Sequence, residues 1–273
     1  MLEQARFDAW LKKLEAAELI AFDTETTSLD PQQAQVVGVS FAVEAGEAAY
    51  VPLAHSYMGV PAQLDRDAVL RALKPILEDP AKAKVGQHAK YDMNVLAHAT
   101  TPIEVQGVAF DTMLESYVLD STATRHDMDS LAMKYLEHST IRFEDIAGKG
   151  AKQLTFDQIA LEQAGPYAAE DADITLRLWR ALKPRLSAEG KTAVYEVLER
   201  PLVQVLAEME QRGIAIDRQI LSRLSGEFAQ SLARLEDEVR ELAGERFNLG
   251  SPKQLGDILF GRMQLPGARK TPT

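Results

Sequence analysis

Cysteine is absent from this 273-residue sequence. Disulfides and thiolate-ligated zinc are therefore excluded, and a reducing compartment is a consistent home. No apolar run approaches the ~20 residues of a membrane-spanning helix. The first turns carry Glu3, Arg6, Asp8, Lys12, Lys13 and Glu15, which is not the pattern of a secretory signal. Internal repeats and low-complexity tracts are also missing. The expectation is a cytoplasmic protein. Basic residues are in deficit: 30 Lys and Arg face 41 Asp and Glu, for a formal net charge of −11. The deficit belongs to the first two thirds of the chain, since residues 1–190 hold 18 basic and 29 acidic residues and the remainder balances. An acidic surface of this kind argues against a broad basic face that grips duplex DNA by its phosphates. It is compatible with a site in which cations attract a phosphate.

What is present is an ordinary apolar content of 46% and one stretch that organises the rest. Leu19-Ile20-Ala21-Phe22 runs into Asp23-Thr24-Glu25. A short apolar run reads as a buried strand, and residues i and i+2 of a strand share a face. Asp23 and Glu25 thus project together from the end of a core strand. Their mutual repulsion calls for a cation between them, unless the strand ends at Asp23 and both acids are solvated.

Phe7, Trp10, Leu11 and Leu14 predict an opening amphipathic helix. Strand-like runs follow at Leu19–Glu25, Val36–Val43 and Ala48–Leu53, joined by short links that favour antiparallel neighbours. A helix over Asp65–Leu77, a strand at Lys84–Gln87, a helix over His88–Ala99, a strand at Val105–Phe110 and a helix over Asp111–Leu119 come next. This order predicts an α/β fold: a ribonuclease H-like mixed sheet of about five strands flanked by helices, with the site at the strand ends. Further on, Asp127–Leu136 reads as a helix, Phe143 to Gly150 as a loop, and Asp157–Leu186 as a helix broken at Gly165-Pro166. A boundary is expected at Ala188-Glu189-Gly190, dividing a domain of residues 1–190 from an all-helical segment, 191–273. That segment shows a stripe of Leu198, Leu202, Val205, Leu206 and Met209, a cap at Gly213, and a long helix from Asp217 to Gly244. The two helices are read as an antiparallel arm, or as an ordinary hairpin docked on a partner. The last residues, 265–273, lack periodicity and look cut from something longer.

Two further acids complete the candidate site. Asp92 lies in the first turn of the helix after the fourth strand, where the helix dipole alone would account for it. Tyr167 and Asp171 are four apart on a helix, on a stripe continued by Ile174, Leu178 and Leu182. Asp171 is therefore on the core-facing side, with Glu170, Asp173 and Arg177 on the solvated side. A buried acid one turn from a tyrosine needs a functional reason. Four carboxylates without His or Cys suit hard ions such as Mg²⁺ or Mn²⁺, and two such ions ~4 Å apart are a known solution for phosphodiester hydrolysis.

These residues carry a resemblance. Phe22-Asp23-Thr24-Glu25-Thr26, Gly86-Gln87-His88-Ala89-Lys90-Tyr91-Asp92 and Tyr167-Ala168-Ala169-Glu170-Asp171-Ala172-Asp173 resemble, in order, the three motifs of the proofreading 3′→5′ exonuclease domain of bacterial family A DNA polymerases, the tyrosine-bearing branch of the DEDD exonucleases. Arg125–Leu131, Phe143–Gly150, Met209–Ile214 and Phe247–Leu255 are similar to further segments of that family, the last two from the start of its polymerase region. The resemblance implies that Asp23 bridges two divalent ions (Mg²⁺ or Mn²⁺). It implies that Glu25 and Asp171 complete one ion's shell and that Asp92 holds the other. Tyr167 and Glu25 orient the attacking water. Leu29 and Phe143 wedge against the last bases of a frayed strand. Gln87, Tyr91 and Arg125 line the single-strand path, with His88 beside them at a position where relatives often carry Asn. The implied partners are the single-stranded or frayed 3′ end of DNA and the palm and fingers of a longer polymerase, in a monomer that is nucleoid-associated. Residues 191–273 would be the thumb-like beginning of the polymerase region, without primer extension of its own. An RNA-trimming exonuclease of the ribonuclease D type and a non-catalytic DNA-guiding module are the alternatives.

Overall fold

The structure, a computed structural model, describes residues 1–267. Its centre is a five-stranded sheet of β1 (Leu19–Thr26), β2 (Val36–Glu44), β3 (Glu47–Pro52), β4 (Ala83–Gly86) and β5 (Val108–Asp111). The strand order is β3-β2-β1-β4-β5. The β1–β2 and β2–β3 pairs are antiparallel, as their short links dictate, and β1–β4 and β4–β5 are parallel, as their helical crossovers dictate. This is the mixed sheet expected from the sequence.

Helices cover both faces. α1 (Gln4–Ala16), α2 (Arg66–Leu77) and α3 (Ala89–Ala97) enclose the largest core cluster, which includes Phe7, Leu14, Phe22, Leu70, Leu73 and Leu96. α4 (Thr112–Leu119), α5 (Met128–Leu136), the short α6 (Phe143–Ala147) and α7 (Leu161–Ala188) pack on the other side. Aspartates at their amino ends fix several of these helices: Asp65, Asp111 and Asp127 accept hydrogen bonds from backbone N–H groups of α2, α4 and α5.

Three local expectations are corrected. α7 runs unbroken through Gly165-Pro166, because Pro166 removes one donor near the amino end while Ala164, Ala168 and Ala172, all fully buried, hold that part of the helix in the core. The stretch from Phe143, read as a loop, begins with α6 and ends in a 3₁₀ turn at Gly150–Lys152. Glu170 is only partly exposed: its carboxylate accepts from His138 Nε2 at 2.7 Å and Ile141 N at 2.6 Å.

The chain forms two compact units, residues 1–213 and 214–273, divided after Gly213. The reason is that the helical turns after Gly190 return to the first unit. Tyr195 is buried and its hydroxyl accepts from Asp111 N at 2.8 Å. α8 (Arg200–Arg212) puts Val203 and Ala207 into the main core, and the stripe of Leu198, Leu202, Val205, Leu206 and Met209 is the exposed side. The second unit consists of α9 (Arg218–Ala243), capped by Asp217 and Gly244, and α10 (Pro252–Gly256) running on into a π-helical turn at Asp257–Arg262. The irregular end read at 265–273 lies, from residue 268, outside the described residues. Among the described residues no helix is long and apolar enough to cross a membrane.

Candidate active site

β1 delivers the first two acids. Ile20, Ala21 and Phe22 are buried to within 1% of full exclusion, Asp23 is partly exposed, and Thr24 and Glu25 are buried again. Asp23 and Glu25 point to the same face. α7 brings Asp171 to them: one carboxylate oxygen from each of Asp23, Glu25 and Asp171 lies within 4.8 Å of the others. The sequence-separated acids therefore meet in space. Asp92, from the first turn of α3, lines the same cavity but has one oxygen committed. Its Oδ1 accepts from Thr24 N at 3.0 Å and from Thr24 Oγ1 at 2.5 Å.

Among the described residues no lysine or arginine lines this cavity, and the acids show the electrostatic cost. Burial raises Asp23 to about 6, partly offset by the Thr24 backbone N–H. Burial pushes Glu25 well above the usual carboxylate range, and the charges of Asp23, Asp171 and Asp92 push it further. Asp92 and Asp171 are raised in the same way, first by burial and then by Asp23. Glu25 Oε1 is buried without a hydrogen-bond partner. Clustered oxygen donors, with an orphaned lone-pair set and no internal counter-charge, fit a hard divalent cation.

The cavity, about 620 Å³, is lined by all four acids, by Tyr167 and by five of the other residues singled out in the sequence: Leu29, Gln87, His88, Tyr91 and Phe143. Leu29 stands at its mouth, 95% exposed. Tyr91 is fixed by its hydroxyl, which donates to Ser28 O. Phe143 lies near parallel to Phe156 and edge-on to Tyr167, with centroids 6.4 and 6.2 Å away. The Gln87 amide is spent internally, donating to His126 O at 2.9 Å and accepting from Thr112 Oγ1. His88 adopts φ 64°, and Asp111 accepts from the His88 and Ala89 N–H groups, which starts α3. Arg125 does not line this cavity. It is almost wholly exposed, pairs with Asp127 at 3.2 Å, and lines an adjoining recess that shares Phe143 and Gln153.

Residues not singled out from the sequence also belong here. Thr24 aims Asp92, and Phe156 backs both Phe143 and Tyr167. Thr24 sat in view between the two acids of β1. Tyr50 is a third. Its hydroxyl is bonded to His55 Nε2 at 2.7 Å and lies over Gly38, the residue paired with Glu25 across β1 and β2.

Residues 1–187 match the family described as 3′-5′ exonuclease, and residues 218–273 match DNA polymerase family A. The chain belongs to the 3′-5′ exonuclease family. It is 72% identical, along its whole length, to a DNA polymerase I of Pseudomonas aeruginosa, and 54% identical over 97% of its length to one of Rhizobium leguminosarum. The chain spans 30% and 28% of those relatives, so it matches only part of each. Among solved structures, the POL domain of Pol1 from M. smegmatis, in complex with DNA primer-template and dNTP, superposes with a TM-score of 0.79 at 25% identity over 99% of this chain and 42% of that one. Brucella melitensis NrnC shares the fold, with a TM-score of 0.55 at 21% identity over 72% of this chain and 86% of that one. The 3′-5′ exonuclease family accounts for an acidic cluster that would otherwise be a liability, since its members use divalent metal.

Proposed function

We propose that this exonuclease segment hydrolyses the terminal phosphodiester of single-stranded or frayed DNA from the 3′ end, as the proofreading part of a longer family A DNA polymerase. Residues 1–190 would be the exonuclease domain and 191–273 the start of the polymerase region, the palm and fingers being supplied by the longer protein. The observation that carries the reading is the convergence of Asp23, Glu25 and Asp171 within 4.8 Å, with Asp92 on the same cavity wall. Asp23, Glu25 and Asp171 would hold one Mg²⁺ or Mn²⁺, and Asp23 with Asp92 a second; such a pair supplies Lewis-acid activation of water and stabilisation of the departing 3′ oxygen.

The chain's own residues do the positioning. Burial and the Asp171 charge push the Tyr167 phenol far up, so it stays protonated and keeps a proton to donate. With the Glu25 carboxylate as acceptor, it orients the attacking water. Phe143 and Tyr91 offer faces for bases, and Leu29 projects where it can part the last pair. Such stacking tolerates any base, which a proofreader needs. The selection is for an unpaired end. Gln87, with its amide already bonded, shapes the wall rather than reading a base; His88 and Arg125 would contact the strand, the latter from the adjoining recess.

End-labelled single-stranded DNA and RNA, incubated with Mg²⁺ or with chelator, test this. Shortening of DNA from the 3′ end that needs Mg²⁺, and that Asp23→Ala reduces at least ~100-fold, is expected. A strong preference for RNA, or inertness of the wild type with Mg²⁺, would overturn it.

A further inference from the structure

α3 is held on two sides. Toward β1, Asp92 is bonded to Thr24 and Tyr91 to Ser28. On its other side it meets α8, and the contact is polar where helix pairs are usually apolar. Asn94 is fully buried. Its Nδ2 donates to Glu210 Oε2 at 2.7 Å, and its Oδ1 accepts from Gln211 Nε2 at 3.0 Å. Both ends of a buried amide are thus satisfied by consecutive residues of α8. The other Glu210 oxygen takes Lys90 Nζ, one turn from Asn94 on the same side of α3. The Glu210 backbone carbonyl accepts from Gln32 Nε2 at 3.2 Å, in the turn that follows Leu29. A single residue therefore binds α3 at two points and the Leu29 loop at a third. The placement is not explained by the stability of α8 itself, because an acid in the last turn opposes the helix dipole.

We propose that Glu210 is a positioning residue for the hydrolytic site. It acts through α3 and the 28–33 turn on Asp92, Tyr91 and Leu29, and it does not line the cavity itself. The inference rests on the exonuclease reading given above. Without the Glu210 carboxylate, Asn94 Nδ2 is left buried and unpaired, and Lys90 loses its partner. α3 then relieves the loss by moving toward solvent. Its amino end stays anchored by Asp111, but Lys90, freed from Glu210, lies in the same first turn as Asp92, so that turn shifts too. Asp92, in the first turn, is carried with it. Supporting partners of metal ligands typically alter affinity or rate by tenfold or more when removed, and small misplacements of reacting groups cost as much.

Glu210→Ala and Glu210→Gln, made in the whole chain, test the assignment. Glutamine keeps the length and one acceptor oxygen, enough for the buried Asn94 Nδ2 while the less buried Lys90 turns to solvent. For Glu210→Ala, kcat on single-stranded DNA should fall about tenfold with KM within about twofold, and the midpoint of Mn²⁺ binding, followed by the loss of the free-ion EPR signal, should rise about tenfold. Glu210→Gln should restore both to within about threefold of wild type. A Glu210→Ala protein that melts lower but keeps wild-type kcat and Mn²⁺ midpoint would reduce Glu210 to packing and overturn the proposal, as would a Gln variant no better than Ala. If Glu210→Ala does not fold, Lys90→Met removes the ion pair alone and should show the same split at about threefold; unchanged values would overturn it. A wild-type chain that neither binds Mn²⁺ nor shortens DNA removes the site reading and this proposal together. An active wild type with an unaffected Ala variant removes this proposal alone.

Discussion

Replacing Asp171 by Asn should destroy hydrolysis and yet make the metal-free protein more stable. Asp171, Asp23 and Glu25 present oxygens within 4.8 Å of one another. At an effective dielectric of about 20, two unit charges at that distance repel by about 3.5 kcal/mol. Asp171 faces two such neighbours. Protonation relieves part of the repulsion, and water reaches the partly exposed Asp23 and Asp171, so a net gain of about 1–3 kcal/mol is the realistic scale. For a unit of this size, 2 kcal/mol corresponds to a rise in Tm of about 4–8 °C. The sign with pH follows from the raised Asp171. Its folded form binds the proton more tightly than the unfolded chain, so the penalty is absent below the ordinary carboxylate range and grows as pH rises toward the folded value. The variant's advantage should therefore be largest near pH 8 and fade toward pH 4. Tryptophan fluorescence in chelator is a suitable assay, because both tryptophans, Trp10 and Trp179, lie in the first compact unit. Mn²⁺ should raise the wild-type Tm and leave the variant nearly unmoved. An Asp171→Asn protein that melts below wild type in chelator at pH 8 would refute the reasoning.

Other outcomes follow from neighbouring parts of the molecule. Tyr167→Phe should lower kcat by about 10–100-fold, less than loss of Asp23, because one hydroxyl is removed rather than an ion's ligand; single-turnover rates on labelled DNA decide this. Glu115 is buried on α4 with neither oxygen hydrogen-bonded, and burial with the nearby Asp111 charge pushes it up to about 8. Folding is then favoured below its ordinary value of 4.5 and loses stability as pH rises from there to about 8. Glu115→Gln should flatten that slope, matching wild type in urea at pH 4.5 and exceeding it by a few kcal/mol, on the order of 2–4, at pH 8.5. A methyl group on Gly38 would lie 2.2 Å from the Tyr50 hydroxyl, which His55 holds in place, so Gly38→Ala should cost about 1–3 kcal/mol in urea unfolding.

The strands and the acids were legible because both are written locally. Alternation put Asp23 and Glu25 on one face, and the 3.6-residue stripe through Ile174, Leu178 and Leu182 put Asp171 on the inner side of α7, where those three are fully buried. What escaped depends on contacts between distant segments. Gly190 has φ 68° and ends α7 much as a domain boundary would, and nothing nearby reveals that Tyr195 reaches back to Asp111. The stripe on α8 stays exposed, and what its sequence does not show is that two smaller residues, Val203 and Ala207, seat the helix on the core. Pro166 looked like a helix breaker because the cost of one lost donor is visible in sequence and the packing that offsets it is not. Thr24 was passed over as a spacer, because its role appears only where α3 crosses the end of β1.

The last of the converging acids comes late in synthesis. Asp171 follows Asp23 by 148 positions, on a helix that packs against the strands before it. At a ribosomal pace of about 5–20 residues per second, roughly 7–30 s separate the two. Throughout that interval the nascent polypeptide holds only part of its acidic cage, which is complete once α7 has emerged and packed on the sheet.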